Sequence, residues 1–173
     1  IVVTFACCLG PLACGFALAF NLTKNPAEQL VHTPVGTWRT HVYILGALIG
    51  GFFSGFLLNY GRKNVLLVTM VPMSLSWLAI IFATRPWMVF LFHGVSGMCT
   101  GIIMVMAQVY VAEISVPKVR GALSSAPLLA FQVGSLICYM LGEILLWKNL
   151  AIVGVCIAIP FFFCVVLCMP QSP

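Results

Sequence analysis

The stretch 86–112, PWMVFLFHGVSGMCTGIIMVMAQVYVA, contains no Asp, Glu, Lys or Arg. About 20 helical residues, rising about 1.5 Å each, cross the roughly 30 Å hydrocarbon core of a bilayer, so this stretch predicts a membrane-spanning α-helix. Five further charge-free stretches of sufficient length lie around it, at 1–23, 40–61, 64–84, 121–142 and 149–173. The sequence therefore predicts one bundle over 1–173, with six consecutive spans at about 1–20, 40–60, 64–84, 87–110, 121–142 and 149–169.

The composition excludes several classes of protein. Of the 173 residues, 62% are hydrophobic and 6% are charged, whereas soluble domains average about 45–50% apolar and about 25% charged residues. A soluble globular domain and a disordered chain are therefore excluded. Nucleic-acid binding is also excluded, because eight scattered basic residues cannot form a stripe that follows phosphates. The predicted fold class is all-α integral membrane, with the lipid bilayer as its surroundings.

The cysteines give no sign of a metal or cofactor site, and none is expected. All eight fall inside predicted spans, and none belongs to a Cys-x-x-Cys pair. Free cysteine in such a position behaves as a small buried hydrophobe.

Two polar side chains inside the spans are candidate site residues. His93 has no carboxylate in its span, which favours a neutral ring held by a backbone carbonyl, although polar groups in the membrane are functional candidates by default. Gln132 lies one turn after Leu128 and about one turn before Ser135, so an uncharged amide and a hydroxyl are expected on one face of the fifth span. That amide is suited either to a hydroxyl-rich substrate or to a hydrogen bond between helices.

Glycines recur at helical spacing in the second and fourth spans. Three Gly-x-x-x-Gly pairs occur, namely Gly46 with Gly50, Gly51 with Gly55, and Gly97 with Gly101. Such pairs let two helices approach closely. They predict either static packing or surfaces that slide during a transport cycle.

The connections between spans hold most of the charge. Gly61, Arg62 and Lys63 predict a tight turn after the second span, and Glu113 precedes the connection after the fourth span, where Arg120 and Gly121 follow. These groups are expected at one face of the membrane, where an ion pair acts either as a static clamp or as a contact that breaks between two conformations.

The distribution of basic residues does not decide the direction of insertion. The basic residues are shared equally between the two sides, with Arg62, Lys63, Lys118 and Arg120 against Lys24, Arg39, Arg85 and Lys148. Asn21 begins an Asn-x-Thr glycosylation sequon, which places the first connection outside if it is used. Both ends are then cytoplasmic.

At these connections the sequence resembles the sugar porter family of the major facilitator superfamily. GFLLNYGRK at 55–63 is similar to the family's Gly-x-Leu-x-Asp-Arg-x-Gly-Arg-Arg motif, with one residue fewer before the second glycine. VYVAE at 109–113, with Arg-Gly at 120–121, is similar to Pro-x-Tyr-x-x-Glu followed by Arg-Gly, and PQSP at 170–173 is similar to Pro-Glu-Ser-Pro-Arg. Gly-Phe-Ala at 15–17 and Ala-Pro at 126–127 resemble the facilitated trehalose transporter branch.

The resemblance implies a twelve-span plasma-membrane transporter of a small-molecule sugar. This chain supplies its N-terminal half, which is a 3+3 inverted repeat. The C-terminal six-helix half, which would be its partner, is absent from the chain. It implies a cytoplasmic gating network of Asn59, Gly61, Arg62, Lys63, Glu113, Arg120, Gly121 and Gln171. It also implies a substrate-binding set of Gln132, Leu128, Phe131, Phe16 and His93, in which Leu128 corresponds to the family's sugar-contacting glutamine and Gln132 is the candidate substitute.

The departures from the family pattern bear on mechanism. Proton-coupled members pair an aspartate in the first span with an arginine in the fourth, and these positions correspond to Ala17 and His93. Facilitated diffusion of trehalose or a hexose is therefore expected. A proton-coupled symporter and a non-transporting sugar sensor remain as alternatives. An enzyme using His93 and Cys99 is disfavoured, because residues six apart lie on different faces of a helix.

Overall fold

The structure, a computed structural model, describes residues 2–22, 35–82, 86–116, 118–145 and 147–168. These residues form six long helices, α1 (Val2–Leu22), α2 (Val35–Leu57), α3 (Arg62–Ile81), α4 (Pro86–Ile114), α5 (Arg120–Gly142) and α6 (Trp147–Cys168). A short 3₁₀ turn, Leu58–Tyr60, follows α2. The middle of each helix is apolar and free of charge, and a chain in lipid must satisfy its backbone hydrogen bonds within the segment.

The helix ends differ from the predicted spans at two charged residues. α4 continues to Ile114, so that Glu113 lies in its last turn and not in a connection. The predicted spans place Arg39 in the first connection, but it lies inside α2 and is only 2% exposed. The helices therefore extend past both charges, of which Arg39 is buried and Glu113 is exposed.

Four helices of the described chain are long and apolar enough to cross a membrane by length and composition. They comprise Trp38–Tyr60, Arg62–Ile81, Trp87–Ile114 and Arg120–Gly142. α1 and α6 contain shorter apolar segments, Cys7–Phe20 and Asn149–Ala158. On these criteria the prediction of six spans is confirmed for four, and the chain is a multi-pass membrane protein.

Two pairs of helices pack most closely, α2 against α4 and α1 against α5. A Cβ atom on Gly97 would overlap the Tyr43 carbonyl oxygen, and one on Gly101 would overlap that of Ala47. In the second pair, Gly15 meets the Phe131 backbone in the same way. Only residues without a side chain allow such contact between backbones.

The glycine prediction is therefore correct for two of its three pairs. Gly46 and Gly50 pack against the backbone of α4, around Gly94 and Met98. A Cβ on Gly51 or Gly55 would meet nothing within 4 Å, although the backbone nitrogen of Gly51 would lie 2.7 Å from a Cβ on Gly101. Gly-x-x-x-Gly spacing identifies a smooth face on a helix, but it does not say which of two such faces has a partner.

A polar contact lies in the bundle interior where α1, α2 and α4 meet. Tyr43 Oη lies 2.8 Å from Thr100 Oγ1 and donates to the Cys14 carbonyl at 3.3 Å. Thr100 in turn donates to the Ser96 carbonyl at 3.0 Å. All these groups are buried, so the hydrogen bonds offset the cost of placing hydroxyl groups in an apolar core.

Candidate functional site

The first candidate site is the turn between α2 and α3. Gly61 has a φ of +87°, a conformation that residues with a side chain rarely adopt, and it allows α3 to begin immediately at Arg62. The Arg62 guanidinium is thereby directed towards the last turn of α4, where Nη2 forms an ion pair with Glu113 Oε1. The tight turn expected at Gly61, Arg62 and Lys63 agrees with this geometry, and Arg62 is one of the four basic residues expected at the same face as Glu113.

The Arg62–Glu113 pair is partly open to solvent. Arg62 is 26% exposed and Glu113 is 38% exposed, and ion pairs in such surroundings are worth about 0–1 kcal/mol. Arg62 Nε is buried and has no hydrogen-bond partner among the described residues. The pair therefore holds α3 to α4 through a contact that is inexpensive to break.

The other described residues of the predicted gating network lie in the turn after α2 and at the start of α5. Asn59 is exposed in the 3₁₀ turn, and Lys63 is half-buried beside Arg62. Arg120 and Gly121 are exposed at the start of α5, and no ion pair joins Arg120 to any residue that the structure describes. Gln171 lies outside the described residues.

A second candidate site is an aromatic cluster in the interior, formed by Phe16, Phe20, Trp77 and His93. The Trp77 ring lies 5.1 Å from Phe20 and 6.0 Å from Phe16, between ring centroids, and Phe20 stacks on His93 at 6.2 Å. Gly154 of α6 provides the space for Trp77, since a Cβ there would lie 2.7 Å from the indole ring. The cluster joins α1, α3, α4 and α6.

Two ring nitrogens of the cluster retain hydrogen-bonding capacity. His93 Nδ1 lies 2.7 Å from the Val89 carbonyl oxygen and donates to it, which fixes the ring. His93 Nε2 and Trp77 Nε1 are buried and have no hydrogen-bond partner in the described part of the chain. Arg39 lies within electrostatic range of His93. Sequence reasoning missed Arg39, although its i, i+4 spacing to the buried Tyr43 places both on one face of α2.

The remaining predicted substrate residues lie on α5. Gln132 and Leu128 are exposed, Leu128 by 48%, and Phe131 is half-buried. The Ser135 hydroxyl was expected beside Gln132, but it donates to the carbonyls of Gly15 at 3.0 Å and of Phe131 at 3.2 Å. Ser135 therefore serves the α1–α5 contact.

The structure thus separates the five predicted substrate residues into two groups. Phe16 and His93 are buried in the aromatic cluster, whereas Leu128 and Gln132 face outward from α5. Phe131 connects the groups through its backbone, which packs against Gly15 next to Phe16. The asparagine of the glycosylation sequon, Asn21, lies in the last turn of α1, and Thr23 lies outside the described residues.

Residues 12–173 match the profile of the family described as Sugar (and other) transporter. The chain belongs to this family. Its members are transporters and not enzymes, so the membership argues against the intramembrane enzyme that pairs His93 with Cys99.

Curated relatives of the family match the chain from end to end. It is 34% identical over 178 residues to the facilitated trehalose transporter Tret1 of Bombyx mori, covering 100% of this chain and 35% of that protein. It is 34% identical over 181 residues to the facilitated glucose transporter member 8 of solute carrier family 2 from Bos taurus, covering 99% of this chain and 37% of that protein. The chain thus spans about a third of the length of these relatives.

Solved structures share the fold at low sequence identity. The proton:xylose symporter XylE bound to 6-bromo-6-deoxy-D-glucose gives a TM-score of 0.84 at 17% identity, over 99% of this chain and 45% of that one. The human organic anion transporter MFSD10 gives 0.79 at 17% identity, over 98% and 47%. The major facilitator fold is therefore shared by transporters of different substrates, and it does not by itself specify one.

Proposed function

We propose that this chain is the N-terminal six-helix half of a carrier that moves a sugar, trehalose or a hexose, across the plasma membrane by facilitated diffusion. Family membership and the printed names of the trehalose and glucose transporter relatives support the substrate class. In this proposal all six helices span the bilayer as two three-helix repeats of inverted topology, and a second six-helix half completes the pathway.

The observation that carries the mechanism is the Arg62–Glu113 ion pair. It ties the turn after α2 to the last turn of α4 at one end of the bundle. In alternating access, one end of the two halves closes while the other opens around a fixed site. A partly exposed pair that costs little to break is suited to a contact that forms at the cytoplasmic end in the outward-open state and separates when that end opens.

The site residues favour uniport over proton coupling. Ala17 supplies no carboxylate in α1, and the His93 ring is held by Val89 and by the stacked Phe20. The described helices α1 and α4 therefore lack the acid and the arginine that proton-coupled relatives pair in this place. Sugar flux is expected to follow the sugar gradient alone.

The decisive measurement is uptake of labelled trehalose and glucose by the complete protein that contains this chain, in cells without uptake of their own. We expect saturable uptake that a protonophore does not reduce. Uptake that collapses with the proton gradient would indicate a symporter, and the absence of flux at every sugar concentration would indicate a sensor.

In the same assay, Glu113→Gln is expected to lower the maximal rate of uptake severalfold, because the outward-open state loses its ion pair. Glu143→Gln is the matched control, since Glu143 is an exposed acid at the other end of α5. Equal rates in Glu113→Gln and the wild-type protein, at equal surface expression, would contradict the gating role.

A further inference from the structure

A cavity of about 550 Å³ lies between α3 and α4, apart from the ion pair and the aromatic cluster. Val65, Val68 and Val95 line it together with Pro72, and the end of α2 closes one side. Valine keeps essentially one rotamer in a helix and the proline ring is fixed, so these walls hold their shape without a ligand. The volume is in the range of pockets that hold organic ligands, about 300–1,000 Å³. Nothing in the proposed transport cycle uses this space.

The cavity opens on the outer surface of this bundle. Val68 and Met98 at its mouth are 71% and 38% exposed, whereas Val65 and Cys99 on its inner side are buried. Helices α3 and α4 are both long and apolar enough to span a membrane. The mouth therefore faces the region in which the surrounding solvent is hydrocarbon, and a ligand enters it from the membrane.

The groups that can bind a polar ligand atom lie at one end of the cavity. Tyr60 and Asn64, both exposed, line it where α2 turns into α3. The Thr69 hydroxyl lies deeper and is already used, because it donates to the Val65 carbonyl at 2.7 Å. Among the described residues that line the cavity, no side chain is charged. This lining suits an uncharged amphiphile with one small polar group at the end of the helices.

The sequence at this end matches a short pattern associated with sterol contact. The pattern is Leu or Val, then Tyr, then Lys or Arg, with one to five residues between them, and Leu57, Tyr60 and Arg62 satisfy it. So short a pattern occurs often by chance. In this structure, however, Leu57 and Tyr60 both line the cavity, and Arg62 is paired with Glu113. The pattern therefore coincides with a space of suitable size and does not call for an anionic ligand.

We propose that this cavity binds one sterol molecule, with its rings against the valines and Pro72 and its hydroxyl group at Tyr60 and Asn64. A sterol hydroxyl both donates and accepts, so it can bond to the tyrosine hydroxyl and to the amide. Rigid rings give up little freedom on binding, whereas an acyl chain would lose rotation about many single bonds. The proposal depends on the chain lying in a membrane and not on the proposed sugar transport.

The site is tested with a photoreactive sterol in phosphatidylcholine vesicles that contain the complete protein. We expect crosslinked peptides from 57–72 and 95–102, and we expect excess unlabelled sterol to abolish this labelling. Val68→Trp fills the cavity and is expected to reduce the labelling severalfold. Val71→Trp is the matched control, being an exposed valine of the same helix outside the cavity.

Val95→Phe fills the cavity from α4 and provides a second variant if Val68→Trp does not fold. Labelling that neither filling variant reduces, or that Val71→Trp reduces equally, would overturn the site, since both results describe sterol dispersed in the surrounding lipid. Absence of labelling from both peptides would overturn it as well. Phosphatidylcholine with a photoreactive acyl chain is the competing ligand, and labelling of the same peptides by it that excess sterol does not reduce would assign the cavity to an acyl chain instead.

The position of the sterol hydroxyl is tested at Tyr60. Tyr60→Phe removes the phenolic hydroxyl and keeps the ring, so the sterol concentration for half-maximal labelling is expected to rise about two- to tenfold, as for one lost hydrogen bond. Tyr139→Phe is the control, because Tyr139 is an exposed tyrosine of α5 outside the cavity, and we expect no change. Equal concentrations for Tyr60→Phe and the wild-type protein would overturn this placement of the hydroxyl group.

Discussion

Gln132 and His93 are both polar residues within apolar helices, and they differ in exposure and therefore in role. The His93 ring is 1% exposed, hydrogen-bonded to Val89 and stacked on Phe20, so it maintains the interior of the bundle. Gln132 is exposed on α5 and remains available to a partner outside this chain. For a sugar carrier, the amide of Gln132 is therefore the better candidate for direct contact with substrate hydroxyl groups.

Replacing Gln132 by alanine is expected to raise the KM for sugar uptake of the complete protein by about two- to tenfold. The reason is the loss of a hydrogen bond, which is worth about 0.5–1.5 kcal/mol. Leu136→Ala is the control, because Leu136 is 61% exposed one turn further along the same face. An unchanged KM in Gln132→Ala would show that Gln132 does not contact the substrate. Its amide would then be assigned to a hydrogen bond between helices.

At the scale of the helices, close packing depends on a few glycines rather than on apolar side chains in general. α2 and α4 touch along Gly46, Gly50, Gly97 and Gly101, whereas α1 and α5 touch at Gly15 and Gly134. The two contacts resemble each other because in both a glycine of one helix meets a backbone carbonyl of the other. Helices in lipid gain little from hydrophobic burial, so this close approach supplies much of their attraction.

Gly97→Ala is expected to destabilise the complete protein by about 1–3 kcal/mol, because the new methyl group overlaps the Tyr43 carbonyl and forces α2 away from α4. Gly51→Ala is the matched control within the same helix pair. Its methyl group meets nothing, and alanine favours the helix, so we expect no loss of stability. Thermal unfolding of the purified proteins in detergent would compare them, and equal losses in both variants would contradict the packing argument.

At the scale of the whole molecule, the helix pairs repeat between the two halves of the chain. α2 packs on α4 as α5 packs on α1, and α3 packs on α4 as α6 packs on α1. Exchange of the first three helices with the last three therefore reproduces the same contacts. This correspondence is what an inverted repeat requires, and it supports our proposal that the fragment forms one half of a carrier.

The sequence could predict six long apolar segments and the presence of Arg62 and Glu113 at one face, because these depend on charge along the chain. It left four basic residues as possible partners of Glu113. It could not predict the partners of the glycines or the burial of Arg39, which depend on which faces meet. It could not predict the separation of Phe16 from Gln132 either, since these residues lie on different helices, α1 and α5. Ser135 shows the same limit, because its hydrogen bond to Gly15 spans 120 positions in the chain.

The direction of the helices gives a prediction for the whole chain. If α2 to α5 each cross the membrane once, the connections after α2 and after α4 lie on one side of the membrane. The start of α4 and the end of α5 then lie on the other side. Cysteines introduced at Asn59 and Lys118 are then expected to react with an impermeant maleimide from the same side, and cysteines at Trp87 and Glu143 from the opposite side. All four positions are exposed.

A Cys156→Ser background removes an exposed native thiol. Labelling of intact cells, compared with labelling of inverted vesicles, identifies the side of the membrane. Labelling of Asn59→Cys and Lys118→Cys from different sides would contradict the bundle itself, because Arg62 and Glu113 lie beside them and are paired.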